Sequence, residues 1–274
     1  MMNSKVVRKK RAFKRLGTIY AFLIYVVLYI PVAVMIAFSF NDQKYNYYWV
    51  GFTTKWYDKL LTNSALLDCL WYSIIIAILS TVISVVIGTI GAIGLKKYEF
   101  KVKRLVNNML YIPIIVPEIV LAVALLIIFM KLGLSLGMTS ILIGHCTFCI
   151  PYAVVTIKGR ISGDGETLEE ASMDLGANRI QTFLKVTLPN IMPGVMSAAF
   201  LSFTLSIDDV VMSNMLAGAK NSTLPVLILS MNKSGITPDV NALTTIMILI
   251  IIVVMILNSI FKKIKGKRKQ EVFR

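Results

Sequence analysis

The sequence predicts an all-α integral membrane protein with six transmembrane helices, on three observations. Hydrophobic residues make up 57% of the chain and charged residues only 16%, with a mean hydropathy of +0.75, which is far from soluble averages. Six stretches hold no Lys or Arg, at 16–38, 69–95, 105–130, 132–157, 188–207 and 241–261; each is near the ~20 residues that carry a helix across ~30 Å of hydrocarbon. The 29 basic residues lie outside these stretches and divide 23 to 6 between alternating segments. By the positive-inside rule, both termini and the 158–187 loop are expected on the cytoplasmic side.

The first stretch follows seven basic residues in 1–15. It is longer than the apolar core of a signal peptide and no A-x-A site follows, so it reads as an uncleaved span. The loop behind it carries Tyr45, Tyr47, Tyr48, Trp49, Phe52, Trp56 and Tyr57, which suits either an interfacial belt or a docking surface. In the second stretch Ser73, Ala77, Ser80, Ser84, Gly88 and Gly91 recur at helical spacing. Such a face lets helix backbones approach closely in lipid, with a pore lining as the alternative.

The third stretch contains Pro113 and Pro117 just ahead of Glu118. A broken helix is expected there, with a new half-helix starting near Pro117. An ionised carboxylate in mid-membrane costs about 2.5–3.5 kcal/mol on insertion scales, so Glu118 is expected either to cap that half-helix or to bind or gate a solute. The fourth stretch holds His145, Cys146 and Cys149, a C-x-x-C beside the only histidine. Without a second ligand pair, packing thiols and an imidazole bonded to a neighbouring helix are preferred over a metal or redox site.

Ser202, Ser206, Asp209 and Ser213 follow spacings of four, three and four in and just beyond the fifth stretch, a polar stripe down one helix face. Asp209 is therefore expected to face a pathway and Asp208 to cap or bond locally. These acids and Glu118 have no Lys or Arg within the spans. Each must be protonated, capped by backbone, paired with another subunit, or left to meet a passing cation.

The sixth stretch leads into a basic tail, giving a cytoplasmic N-terminal segment 1–15, a membrane domain 16–261 and a cytoplasmic tail 262–274. The net charge of +15 sits in juxtamembrane clusters, which topology and anionic lipid explain and nucleic acid does not require. No Gly-Lys-Ser or Gly-Lys-Thr phosphate loop occurs, so the chain is not itself an ATPase. No nucleophile–base or paired-carboxylate set implies catalytic residues, and no metal or cofactor is expected in this chain.

Between the fourth and fifth stretches lies Thr167-Leu168-Glu169-Glu170-Ala171-Ser172-Met173-Asp174-Leu175-Gly176-Ala177. Thr167 and Glu170 are spaced as a capping box and Gly176 as a C′ stop, which predicts a two-turn helix. Its acidic face is Glu169, Glu170 and Asp174, and its apolar face Leu168, Ala171 and Leu175. A helix this short needs something to dock into. Glu170-Ala171-Ser172, then Gly176, then Val186-Thr187-Leu188-Pro189 nine residues on, resembles the EAA loop of ABC-importer permeases, with Ser172 in place of the usual Ala.

Phe38-Ser39-Phe40-Asn41, Gly51 to Tyr57, Ser202 to Val211 and Pro238 to Leu243 extend the resemblance to PotC-type permeases of the spermidine/putrescine importers, except that Glu118 stands where Asp is expected. The resemblance implies a type I (MetI-like) permease fold in the bacterial cytoplasmic membrane. It also implies a second, PotB-like permease, a PotA-like ATPase dimer that binds ATP and Mg, and an external PotD-like polyamine-binding protein. Glu169, Glu170, Ala171, Asp174, Gly176, Leu188 and Pro189 would then couple to the ATPase. Glu118, Ser202, Ser206, Asp208 and Asp209 would line the substrate pathway. A related importer for another small solute and a cation channel are the alternatives.

Overall fold

The computed structural model describes residues 4–44, 48–161, 164–218, 222–231, 235 and 237–272. Tyr45 and Tyr47 of the aromatic cluster lie outside them, as do 1–3 and 273–274 of the terminal segments. The described chain is helical, apart from one isolated bridge between Asn41 and Phe52. In order the helices are α1 (Ser4–Phe38), α2 (Lys55–Thr62), α3 (Ser64–Lys97), α4 (Lys103–Ile115), α5 (Glu118–Lys131), α6 (Met138–Lys158), α7 (Asp164–Asp174), α8 (Arg179–Thr182), α9 (Leu188–Ile207), α10 (Val211–Leu216), α11 (Leu224–Met231) and α12 (Pro238–Val272). Two compact units divide them, 1–64 with 231–274 and 65–230.

Among the described residues, five helices are long and apolar enough to cross a membrane, and a sixth crossing requires the bent pair α4 and α5. Those two meet at 108°, so the third expected span is no straight crossing. Val116 precedes a proline and is therefore held extended (ψ 134°), which ends α4 at Ile115. The fourth span begins at Met138 rather than 132, because Gly133 (φ 67°) and Gly137 (φ 150°) turn the chain before it.

In the first unit, Trp56 of α2 is buried and donates from Nε1 to the Asn41 carbonyl at 2.7 Å. Asn41 is itself fully buried: its Oδ1 accepts from Val50 N and its Nδ2 donates to the Tyr48 carbonyl, both at 2.8 Å, so one side chain holds the loop closed. Asn63 Nδ2, just after α2, donates to Asp239 Oδ2 in the first turn of α12 at 2.8 Å. Tyr48, Trp49 and Phe52 remain exposed while Trp56 is buried, so the cluster divides into a structural part and a surface part.

The second unit is built on the small-residue face of α3. Ser73, Ala77, Ser80, Ser84 and Gly88 are all buried, and a Cβ placed on Gly88 would lie 2.6 Å from Ala153 Cβ of α6. The expected reason for the face, close backbone approach, is the observed one. Around it Ala92, Leu95, Ala153, Val154, Ile157, Ile191 and Ala198 form one apolar cluster; Ile76, Ala122, Phe129, Ile141, Phe148, Met212 and Leu216 form another against α5 and α10.

Gly88→Ala is therefore expected to lower the thermal stability of the purified protein by about 1–3 kcal/mol through overpacking. Gly94→Ala, which meets nothing within 4 Å, is expected to be neutral or mildly stabilising. Equal melting temperatures for the two variants would contradict the close α3–α6 approach.

Candidate functional site

The break between α4 and α5 opens a cavity of about 510 Å³ lined by Pro113, Ile114, Val116, Glu118, Leu121, Phe148, Tyr152, Leu205, Asp208, Asp209, Val210 and Val211. Its lining holds three carboxyls and no Lys or Arg. Glu118 begins α5, where the positive end of the helix dipole favours a carboxylate. It is exposed to the cavity that Asp209 also lines. Glu118 and the two aspartates thus line one cavity.

The fifth span ends at Ile207 and a new helix begins at Val211. Asp209 sits in the gap, 5% exposed. Its Oδ1 accepts from Met212 N at 3.2 Å and its Oδ2 from Ser213 N at 2.7 Å, so it closes the first turn of α10 as a capping acid does. His145 Nε2 lies 3.1 Å from the same Oδ2. Both aspartates line the cavity, as expected of Asp209; Asp209 also makes the local bonds, and Asp208 is the more exposed carboxyl there. The stripe spacing presumes one continuous helix, whereas the chain breaks after Ile207 and turns its last members.

Ser202 and Ser206 do not line the cavity. Both are buried against neighbouring helices; Ser206 Oγ accepts from Ser80 Oγ at 2.9 Å and lies 2.6 Å from His145 Nδ1. The Ser202 carbonyl accepts from Cys149 Sγ at 3.6 Å. His145 is fully buried and bonded to the α9–α10 segment, and Cys69, Cys146 and Cys149 are free thiols. His145 is thus the partner of Asp209, one that the absence of Lys and Arg from the spans does not reveal. The histidine and the aspartate stand 64 residues apart, and no local pattern joins them.

Helix α7, in the loop between the fourth and fifth spans, starts at Asp164, so Thr167 lies inside it and caps nothing. The helix begins about one turn further back than the Thr167–Glu170 spacing predicts. Gly176 does terminate the helix. Its φ is +89°, Gly176 N donates to the Met173 carbonyl at 2.9 Å and Ala177 N to that of Ser172 at 3.2 Å, the double bond of a Schellman turn. A reciprocal capping box occurs instead at Asn178 and Gln181, opening α8.

Glu169 departs from the expected acidic face. It turns inward to ion-pair with Lys97 at the end of α3 and accepts from Thr187 Oγ1 at 2.6 Å. Thr187 closes a five-residue π-helical segment, Phe183–Thr187, that leads into α9. Glu170, Ala171 and Asp174 stay exposed, as do Pro189, Leu168 and Leu175, the last at 90%; Leu188 is half-buried. An unpartnered apolar edge therefore remains on α7.

Residues 84–270 match the family model described as the binding-protein-dependent transport system inner membrane component. The spermidine/putrescine transport system permease protein PotC of Haemophilus influenzae is 40% identical over 244 residues, 89% of this chain and 95% of that protein. PotC of Escherichia coli K12 is 41% identical over 89% of this chain and 92% of its own. The putrescine transport system permease protein PotI of the same strain is 34% identical over 81% of each. A bacterial ABC transporter that imports the acidic polysaccharide alginate superposes with a TM-score of 0.69 over 92% of this chain and 97% of the other, at 17% identity. The methionine transporter MetNI gives 0.54 over 74% and 94%, at 20%. At these identities the likeness to the two structures is one of fold, that of an ABC importer permease.

Glu169→Ala is expected to cost about 1–3 kcal/mol of local stability, the range for a hydrogen-bonded charge, read as faster amide exchange in α7. Exchanging the pair, Lys97→Glu with Glu169→Lys, should recover much of the protection. Unchanged exchange in Glu169→Ala would contradict the tether.

Proposed function

The chain belongs to the binding-protein-dependent transport system inner membrane components, and we propose that its polyamine path runs through the cavity at Glu118, Asp208 and Asp209. It is a permease subunit of an ABC importer, a multi-pass protein of the inner membrane, and ATP hydrolysis belongs to a separate subunit. The substrates are spermidine and putrescine, by likeness to the PotC and PotI relatives.

The observation that carries the path is a cavity with three carboxyls and no basic residue. A polyamine is a flexible chain of methylenes between ammonium groups. Each ammonium suits a carboxylate through charge-assisted hydrogen bonds; the methylenes suit Leu121, Leu205, Val210 and Val211. Phe148 and Tyr152 add ring faces that attract cations. Two open acids and one already bonded hold the substrate loosely, as transport requires, since a site that binds too tightly does not release.

The second half of the proposal is coupling. The exposed edge of α7, with Leu168, Leu175, Glu170 and Asp174, docks into the ATPase, and Glu169 carries its displacement through Lys97 to α3 and through Thr187 to α9. This places α7 and both termini in the cytoplasm, as the 23-to-6 division of basic residues favours. The complete importer has a PotB-like second permease, a PotA-like ATPase pair with ATP and Mg, and a PotD-like external binding protein that hands over the polyamine. An importer for another small solute would keep the same α7, so competition by polyamines is the discriminating measurement.

In vesicles containing the reconstituted complex, Glu118→Gln and Asp208→Asn are each expected to lower the apparent affinity for polyamine by about tenfold or more, the equivalent of one charge-assisted bond. Uptake unaffected by both would remove the cavity from the path. Leu175→Asp should weaken capture of the ATPase by about tenfold or more, the burial worth of a leucine, while membrane insertion persists. Full ATPase recovery with that variant would contradict docking through α7, and with it the cytoplasmic placement.

A further inference from the structure

We propose that His145 is a positioning residue of the polyamine path: it holds Asp209 turned toward the N-terminus of α10, leaving Glu118 and Asp208 as the carboxyls free to meet the substrate. This rests on the reading of the cavity as that path.

His145 has no exposed surface, yet both ring nitrogens face polar atoms on the α9–α10 segment. Nε2 lies 3.1 Å from Asp209 Oδ2 and 3.1 Å from Ser213 Oγ, and Nδ1 lies 2.6 Å from Ser206 Oγ. A carboxylate only accepts, so Nε2 carries the hydrogen. Ser206 already accepts from Ser80 at 2.9 Å, which leaves its own hydrogen for Nδ1. With the Ser80 hydrogen given to Ser206 at 2.9 Å rather than to the more distant Ala77 carbonyl at 3.2 Å, the chain Ser80, Ser206, His145, Asp209 runs in one direction, and a neutral imidazole satisfies it. Simple packing needs no such run of partners from three helices.

The choice of histidine has a physical consequence. A lysine or arginine in its place would orient Asp209 but also cancel its charge, and a polycation would meet a weaker field. An Nε2–H imidazole orients the carboxylate and leaves the charge in place. With two backbone amides on the other side, Asp209 is fixed without support from the cavity. Its position sets that of Asp208, the adjacent residue, in the cavity that Glu118 also lines.

Asparagine and glutamine separate the two ring nitrogens: Asn places an amide near the Nδ1 position and Gln near the Nε2 position. Polyamine uptake by the reconstituted complex is measured for both. His145→Asn, which loses the donor to Asp209, should raise the apparent KM about tenfold, and His145→Gln, which keeps it, should stay within roughly threefold of the parent. An unchanged KM in His145→Asn, or equal rises in both, would overturn the proposal, since the second result is what a packing role gives. Should His145→Asn not assemble, Ser206→Ala decides: it frees Nδ1 alone, and a raised KM in the assembled complex supports the assignment while an unchanged KM overturns it. Glu118→Gln run in parallel separates the two claims. No effect of Glu118→Gln removes the path itself, whereas an effect there without one in His145→Asn removes only the role of His145.

Discussion

A carboxylate buried in a membrane protein has to be satisfied on all sides, and Asp209 is the group around which this unit is arranged. Leaving it without partners would cost several kcal/mol. Two amides of the α10 first turn and the His145 ring meet that demand. The amides are available only because the chain stops being helical after Ile207 and starts again at Val211. The same break brings Asp208 to the cavity wall, so one electrostatic requirement sets both the backbone and the distribution of open charge.

The arrangement depends in turn on small residues. Ser80 reaches Ser206 only because α3 offers a face of Ser, Ala and Gly on which α6 and α9 can lie close, and Gly88 has no room for a methyl group. At the other end of the same helices, Glu169 joins Lys97 to Thr187. Helices α3 and α9 are thus linked twice, once beside α7 and once beside the cavity. In the coupling proposed above, a displacement of α7 reaches the acids through these two links.

The sequence carries the features that are local and loses those that depend on distant partners. Composition and run length locate the spans; α9 begins and ends at the expected residues, and Gly176 closes α7 because its positive φ is a local requirement. Pro113 and Pro117 announce the break before Glu118, while the 108° turn follows from how α5 packs with α10 and α6 and has no local signal. The inward turn of Glu169 depends on Lys97, 72 residues away, and the capture of Asp209 on His145, 64 residues away. Periodicity placed Ser202, Ser206 and Asp209 on one face correctly for a single helix, but a face identifies neither its neighbour nor the point where the helix ends.

The most direct measurement is the structure of the assembled importer trapped with its polyamine. Ammonium nitrogens about 3 Å from the Glu118 and Asp208 carboxyls, with Asp209 still bonded to His145, are the predicted result. An ammonium seated on Asp209 with the His145 bond broken, or a polyamine held away from this cavity, would contradict the account.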